Sequence, residues 1–225
     1  MPHRTLTKIF FAGTDTDVGK TYVTALVASY LRQQGLSVGV YKPVASGCEE
    51  VEGQLVAEDA VKLWEAAGKP RTLAEVCPQK FVASLAPPEA AAIEGKSVDA
   101  NLLASGATRW EDFDVLLVEG AGGLFSPLAD GVLNIDLAKE LSAEVVVVAA
   151  NRLGAIHQTL ATVAAAKFQG VQPRGLILST VSEQSDSSVE GNASQIGQYT
   201  DVPVIAKVTY DGTLDEVKEI RKLLT

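Results

Sequence analysis

Six short runs of the chain are apolar at nearly every position, and they alternate with stretches whose apolar residues recur at helical spacing. The runs are Lys8–Ala12, Ser37–Lys42, Asp114–Glu119, Glu144–Ala150, Gly175–Thr180 and Pro203–Val208, with a weaker candidate at Gln79–Val82. Val115-Leu116-Leu117-Val118 and Val145-Val146-Val147-Val148 are continuously apolar instead of alternating, the pattern of strands buried on both faces of a parallel sheet. Helices are expected over Lys20–Gln34, Glu58–Ala67, Asp99–Trp110, Ile156–Phe168 and Thr213–Leu224. In the first, Val23, Leu26, Val27, Tyr30 and Leu31 share one face, and Gly35 supplies the stop. Strands alternating with crossovers of this length predict an α/β fold: one doubly wound, mostly parallel sheet of about seven strands in a single domain over residues 1–225. Such sheets bind ligands beyond the carboxyl ends of their strands, and the chemistry-bearing residues fall there.

The first run leads into Gly13-Thr14-Asp15-Thr16-Asp17-Val18-Gly19-Lys20-Thr21, and a helix follows at once. Strand, glycine-bounded loop and helix start make a phosphate-binding loop of the P-loop NTPase type. Backbone N–H groups and the helix amino end attract an anion, Lys20 adds a point charge, and the Thr21 hydroxyl can ligate magnesium. Five residues separate Gly13 from Gly19 where the common pattern has four. The second run ends in Lys42-Pro43-Val44-Ala45-Ser46-Gly47; Pro43 bars a helix from starting there and pins Lys42 at the ligand edge. Glu119 ends a buried run and precedes Gly120-Ala121-Gly122-Gly123, which suits a metal-linked carboxylate beside a closely approaching ligand. Asp59 reads either as a second carboxylate or as a helix-start residue. After Ala150 comes Asn151-Arg152-Leu153-Gly154-Ala155-Ile156, another strand-to-helix turn able to receive an anion; His157 reads as an ordinary first-turn residue.

Composition narrows the choice of partners. Lys and Arg total 19 against 28 Asp and Glu, a net charge of −9 over 225 residues, so general affinity for nucleic acid or anionic membrane is not expected. The two cysteines, Cys48 and Cys77, make neither a metal spacing nor a disulfide framework, as in a reducing compartment. No apolar run is long enough to span a bilayer, and the four apolar residues between Arg4/Lys8 and the first glycine are too few for a signal-peptide core, so a cytoplasmic protein is expected.

In order and spacing, Gly-Thr-Asp-Thr-Asp-Val-Gly-Lys-Thr at 13–21, Lys-Pro-Val-Ala-Ser-Gly at 42–47, Glu-Asp-Ala at 58–60, Val-Glu-Gly-Ala-Gly-Gly at 118–123 and Arg-Leu-Gly-Ala-Ile at 152–156 closely resemble the dethiobiotin synthetases, and the resemblance covers essentially the whole chain. It implies a ligase of biotin biosynthesis that uses Mg2+ and ATP to carboxylate 7,8-diaminopelargonate with CO2 and close its ureido ring. The route passes through a carbamate and a carbamic–phosphoric anhydride. It further implies Lys20 and Lys42 as catalytic. Asp17, Val18, Gly19, Lys20, Thr21, Tyr22, Asp59, Glu119, Gly120, Ala121, Gly122, Ser179 and Thr180 would contact the nucleotide. Thr21, Asp59 and Glu119 would hold magnesium, and Thr16, Lys42, Ser46 and Gly123 would contact the substrate. The family works as a homodimer whose partner subunit binds the substrate carboxylate, here through Gly154, Ala155, Ile156 and His157. Relatives carry an asparagine where this chain has Ser179, and a glycine and proline near Ala206–Thr209, so weak discrimination among nucleobases is expected. The rival reading is a nucleotide-dependent switch or positioning ATPase with the same loop; the amphipathic membrane tail or basic DNA face such proteins commonly add is not found in the sequence.

Overall fold

The computed structural model describes residues 6–184 and 187–224; Arg4, part of the signal-peptide argument, lies outside them. The strands are β1 (Thr7–Gly13), β2 (Val38–Tyr41), β3 (Val44–Ala45), β4 (Glu49–Val51), β5 (Gln54–Val56), β6 (Gln79–Lys80), β7 (Val115–Gly123), β8 (Pro127–Ala129), β9 (Val132–Leu133), β10 (Glu144–Ala150), β11 (Gly175–Ser179) and β12 (Val204–Val208). The helices are α1 (Lys20–Gln33), α2 (Glu58–Ala66), α3 (Leu73–Val76), α4 (Pro87–Ile93), α5 (Ala100–Ser105), α6 (Asn134–Glu140), α7 (Ala155–Phe168) and α8 (Asn192–Tyr199), with 3-10 helices at Gly106–Trp110 and Leu214–Leu223.

The central sheet has six strands in the order β12-β11-β10-β1-β7-β2, every neighbouring pair parallel. Its middle strands are the continuously apolar runs, and Val115 to Val118 and Val145 to Val148 are all buried. The connection leaving β1 runs toward β2, whereas the one leaving β7 crosses β1 to reach β10. Connections diverging from adjacent strands open a crevice at their carboxyl ends, between β1 and β7. The register is interrupted there. Phe11 pairs with Glu119 and Gly13 with Gly123, so Ala12 alone faces three residues, Gly120 to Gly122. This bulge carries β7 out toward the crevice.

Three expectations need correction. The seventh strand is not in the central sheet: Gln79–Lys80 pairs with Val44–Ala45 in a separate two-stranded annex. Pro78, lacking an N–H, sits at its entrance, and Val76 O has already accepted from Lys42 N at 2.8 Å. The helix expected over Asp99–Trp110 breaks at Gly106 into α5 and a 3-10 turn, where buried Tyr41 packs so closely that a Cβ on Gly106 would lie 2.2 Å from its hydroxyl. The segment expected as an α-helix over 213–224 is a 3-10 helix. Its apolar residues Leu214, Val217, Ile220 and Leu223 fall every third position, so three residues per turn keep them on one buried stripe against α1 and β12. The short helices α3, α4, α6 and α8 carry too little periodicity to be read beforehand.

Candidate active site

The phosphate loop follows from backbone constraint. Asp17 is held at φ 57° and Gly19 at φ 85°, the left-handed region, so successive N–H groups turn inward ahead of α1. A Cβ on Gly19 would come 2.5 Å from Ser179 Oγ, so strand β11 backs the loop directly. Thr14 N donates to Val148 O (2.9 Å), tying the loop to β10. No acidic residue occupies the first turn of α1 to oppose an anion. Lys20, only 8 % exposed, lies along the loop with its ammonium 3.4 Å from Asp15 O. Burial lowers its pKa, and the charge of Glu119 works against that.

Lys42 leaves β2 into the same space. Its buried ammonium donates to Glu119 Oε1 (2.7 Å), Asp59 Oδ2 (2.9 Å) and Gly120 O (3.4 Å). Burial disfavours the charge of Lys42, but Glu119 and Asp59 outweigh it and hold the pKa above the usual lysine value. Asp59 is partly desolvated, which would raise its pKa, but Lys42 more than compensates and its carboxyl titrates below the ordinary range. Thr21 Oγ1 donates to Glu119 Oε1 (2.9 Å). The other oxygen, Glu119 Oε2, is buried without a hydrogen-bond partner. Two carboxylates, one of them with an unpartnered oxygen, and a hydroxyl form a hard, oxygen-only donor set next to a phosphate cradle, and such a set fits Mg2+. In this structure the Lys42 ammonium supplies the positive charge between the carboxylates.

A cavity of about 1160 Å³ runs across the crevice. It is lined by the expected residues Thr16, Asp17, Gly19, Lys20, Thr21, Tyr22, Lys42, Ser46, Asp59, Ala121, Gly122, Ser179 and Thr180. Val18 and Glu119 are fully buried behind it, and Gly120 and Gly123 are not among its lining residues. Ser179 is 1 % exposed, its hydroxyl turned against Gly19. The turn of Gly154, Ala155, Ile156 and His157 is not brought into the cavity; beside it Leu153 is 83 % exposed. Sequence reasoning missed Ala45, Gly47, Ser84, Leu85, Ala86, Pro87, Ser126, Pro127, Val181, Tyr210 and Asp211, which complete the lining. Ala45 and Gly47 belong to the Lys42–Gly47 motif already singled out, and the Pro-Pro pair opening α4 was a second legible signal, since proline favours a first helical turn. Sheet order divides the cavity. Residues following β11 and β12 lie on one side of β1, and residues following β2 and β7 on the other.

A family model described as "AAA domain" matches residues 7–218. Among curated proteins, the chain is 46% identical over 211 residues to the "ATP-dependent dethiobiotin synthetase BioD" of Rhodopirellula baltica, covering 88% of this chain and 82% of that protein. The chain belongs to the dethiobiotin synthetase family. The protein of the same name from Bacillus thuringiensis is 36% identical over 219 residues, covering 95% of this chain and 88% of the relative. Solved structures extend the likeness in fold alone. The hydrogenase maturation factor HypB of Archaeoglobus fulgidus superposes with a TM-score of 0.59 at 14% identity, covering 98% of this chain and 91% of that one. The signal recognition particle receptor FtsY of Elizabethkingia anophelis gives 0.55 at 16% identity, covering 100% of this chain and 68% of that one. These neighbours share the α/β fold with this chain. No helix among the described residues is long and apolar enough to cross a membrane.

Proposed function

We propose that the chain is an ATP-dependent dethiobiotin synthetase, a ligase that forms C–N bonds, and that the cavity spanning β1 holds ATP on one side and 7,8-diaminopelargonate on the other. One observation carries this beyond family membership: buried Lys42 lines one cavity together with the phosphate loop and with Ser46, Ser84, Ser126 and the apolar Leu85-Ala86-Pro87. A hydroxyl-bearing, partly apolar compartment suits an aliphatic amino acid.

In the proposed reaction, one substrate amine takes up CO2 as a carbamate. A carbamate oxygen attacks the γ-phosphorus and ADP leaves. The second amine then attacks the carbamoyl carbon of the anhydride and expels phosphate, closing the ureido ring. Little of this needs covalent help from the protein; position and charge dominate phosphoryl transfer. Lys20 neutralises the phosphate side. Lys42 stabilises the carbamate and the transferring phosphoryl group, and Asp17 to Tyr22 cradle the polyphosphate. Thr21, Asp59 and Glu119 would hold Mg2+, which neutralises phosphate charge when bound. Thr180 and the residues beside it are assigned to the base, and Thr16, Ser46 and Gly123 to the acceptor.

The homodimer is part of the proposal. Gly154, at φ 94°, caps α7 with no side-chain hydrogen bond, and although Ala155 N donates to Arg152 O (3.0 Å), the next N–H groups of the first turn are assigned to a carboxylate held by a second copy. An isologous pairing would create two equivalent sites. The test is to incubate the purified protein with diaminopelargonate, bicarbonate and Mg-ATP and measure phosphate and dethiobiotin together. Dethiobiotin in step with phosphate is expected; phosphate release that needs no acceptor would refute the reading. Light scattering showing a fully active monomer would refute the dimer.

A further inference from the structure

Asn134 opens α6 with its side chain fully buried. Its Nδ2 donates toward three carbonyl oxygens, those of Ala121 (2.8 Å), Gly123 (2.9 Å) and Ser126 (2.9 Å). An amide nitrogen has two hydrogens, so one of these is shared. Three acceptors also fix the orientation, because the flipped amide would set an oxygen against three oxygens. Its backbone N adds a bond to Ser126 O at 3.1 Å. On the other side a Cβ on residue 120 would lie 2.1 Å from Oδ1, so Asn134 requires glycine at 120.

The bond to Ala121 falls on the bulge of β7, where the ladder with β1 cannot serve all the carbonyls of the extra residues, and those to Gly123 and Ser126 tie the end of β7 and the loop after it to the same side chain. Ser126 Oγ accepts from Gly123 N (2.9 Å) to close the loop. The result is that Ala121, Gly122, Ser126 and Pro127 stand as one wall of the cavity, on the Lys42 side of β1.

We propose that Asn134 is a positioning residue for the acceptor: its carboxamide holds the β7 bulge at the distance from Lys42 at which the diamine compartment fits its substrate. The proposal rests on the dethiobiotin synthetase reading of that compartment. It moves Gly120, Ala121 and Gly122, which the family resemblance gives to the nucleotide, chiefly to the acceptor, since the base side is built from residues after β11 and β12.

The experiment compares wild type, Asn134→Asp and Asn134→Ser. Thermal melting monitors folding, steady-state kinetics give KM for diaminopelargonate and kcat, and calorimetry gives the Kd of ADP. Misplacing a binding wall by about 1 Å costs on the order of tenfold to a hundredfold. Both variants are therefore expected to raise the acceptor KM by about tenfold or more while the ADP Kd stays within about twofold. A merely structural role would lower the melting temperature and leave both constants as in wild type, and that result overturns the proposal. So does a change confined to ADP binding. Should neither variant fold, Asn134→Ala, which removes the carboxamide and leaves only space, takes their place, and an unchanged acceptor KM there overturns it equally. Wild-type protein that forms no dethiobiotin overturns the underlying reading instead.

Discussion

Removing the ammonium of Lys42 while keeping its hydrocarbon stem, as in Lys42→Met, tests the centre of the site through stability alone. Lys42 is 4 % exposed and Glu119 0 %, and their charged atoms lie 2.7 Å apart. The substitution leaves Glu119 with only the Thr21 hydroxyl and an already unpartnered Oε2. Stranding one member of a buried ion pair costs about 3–5 kcal/mol, because the remaining charge keeps its desolvation penalty without its counter-charge. Asp59, whose side chain is 46 % exposed, adds little, since water can serve it. Urea unfolding at neutral pH with a chelator present should therefore show Lys42→Met less stable than wild type by about that amount, with the m value unchanged. A divalent cation should then help the variant more than the wild type, in which Lys42 competes for the same carboxylates. At free Mg2+ ten times its Kd the gain is about 1.4 kcal/mol. A loss below about 1 kcal/mol in chelator, with no difference in the Mg2+ response, would refute the pairing of Lys42 with Glu119 and with it the shared cation position.

In catalysis, Lys42→Met should lower kcat about a hundredfold or more, from roughly 2–4 kcal/mol of lost transition-state stabilisation. Retention of more than about a tenth of wild-type turnover would contradict that role. Lys20→Ala should act chiefly on nucleotide Kd, which calorimetry reads directly. With the Ser179 hydroxyl turned onto Gly19, the base meets no side-chain amide there, so kcat/KM for ATP, GTP and CTP should agree within about a hundredfold; an ATP preference beyond about a thousandfold would refute this. Burial pushes the Cys77 thiol from 9.0 up to about 12. Above pH 9 the unfolded chain loses that proton and the native one keeps it, so this contribution to stability is complete below pH 9 and is lost toward pH 12. Cys77→Ala should flatten the alkaline fall in urea midpoint between pH 8 and 11, and an equally steep fall would show that other groups set it.

The sequence by itself determined the six strands of the central sheet and the phosphate loop, because both are local, whereas the short strands β3, β4, β5, β8 and β9 left no such pattern. Val145 to Val148 can be buried on two faces only within a sheet, and Gly19-Lys20-Thr21 after an apolar run has few other uses. The order of Lys42, Asp59 and Glu119 along the chain also marked them as candidates. What the sequence could not decide was their meeting. Lys42 and Glu119 are 77 positions apart, and only the parallel pairing of β2 with β7 sets them side by side. The tertiary structure likewise removed Gln79–Lys80 from the central sheet, and it selected a 3-10 helix at 214–223 through the buried surface that every third residue faces. Asn134 has no local signature, since its role exists only where a strand two residues too long for its partner leaves carbonyls to be satisfied. Propensity and loop motifs act over a few neighbours; register, bulges and buried charge pairs belong to the packed whole, where desolvation makes each unpaired group costly enough to specify its partner.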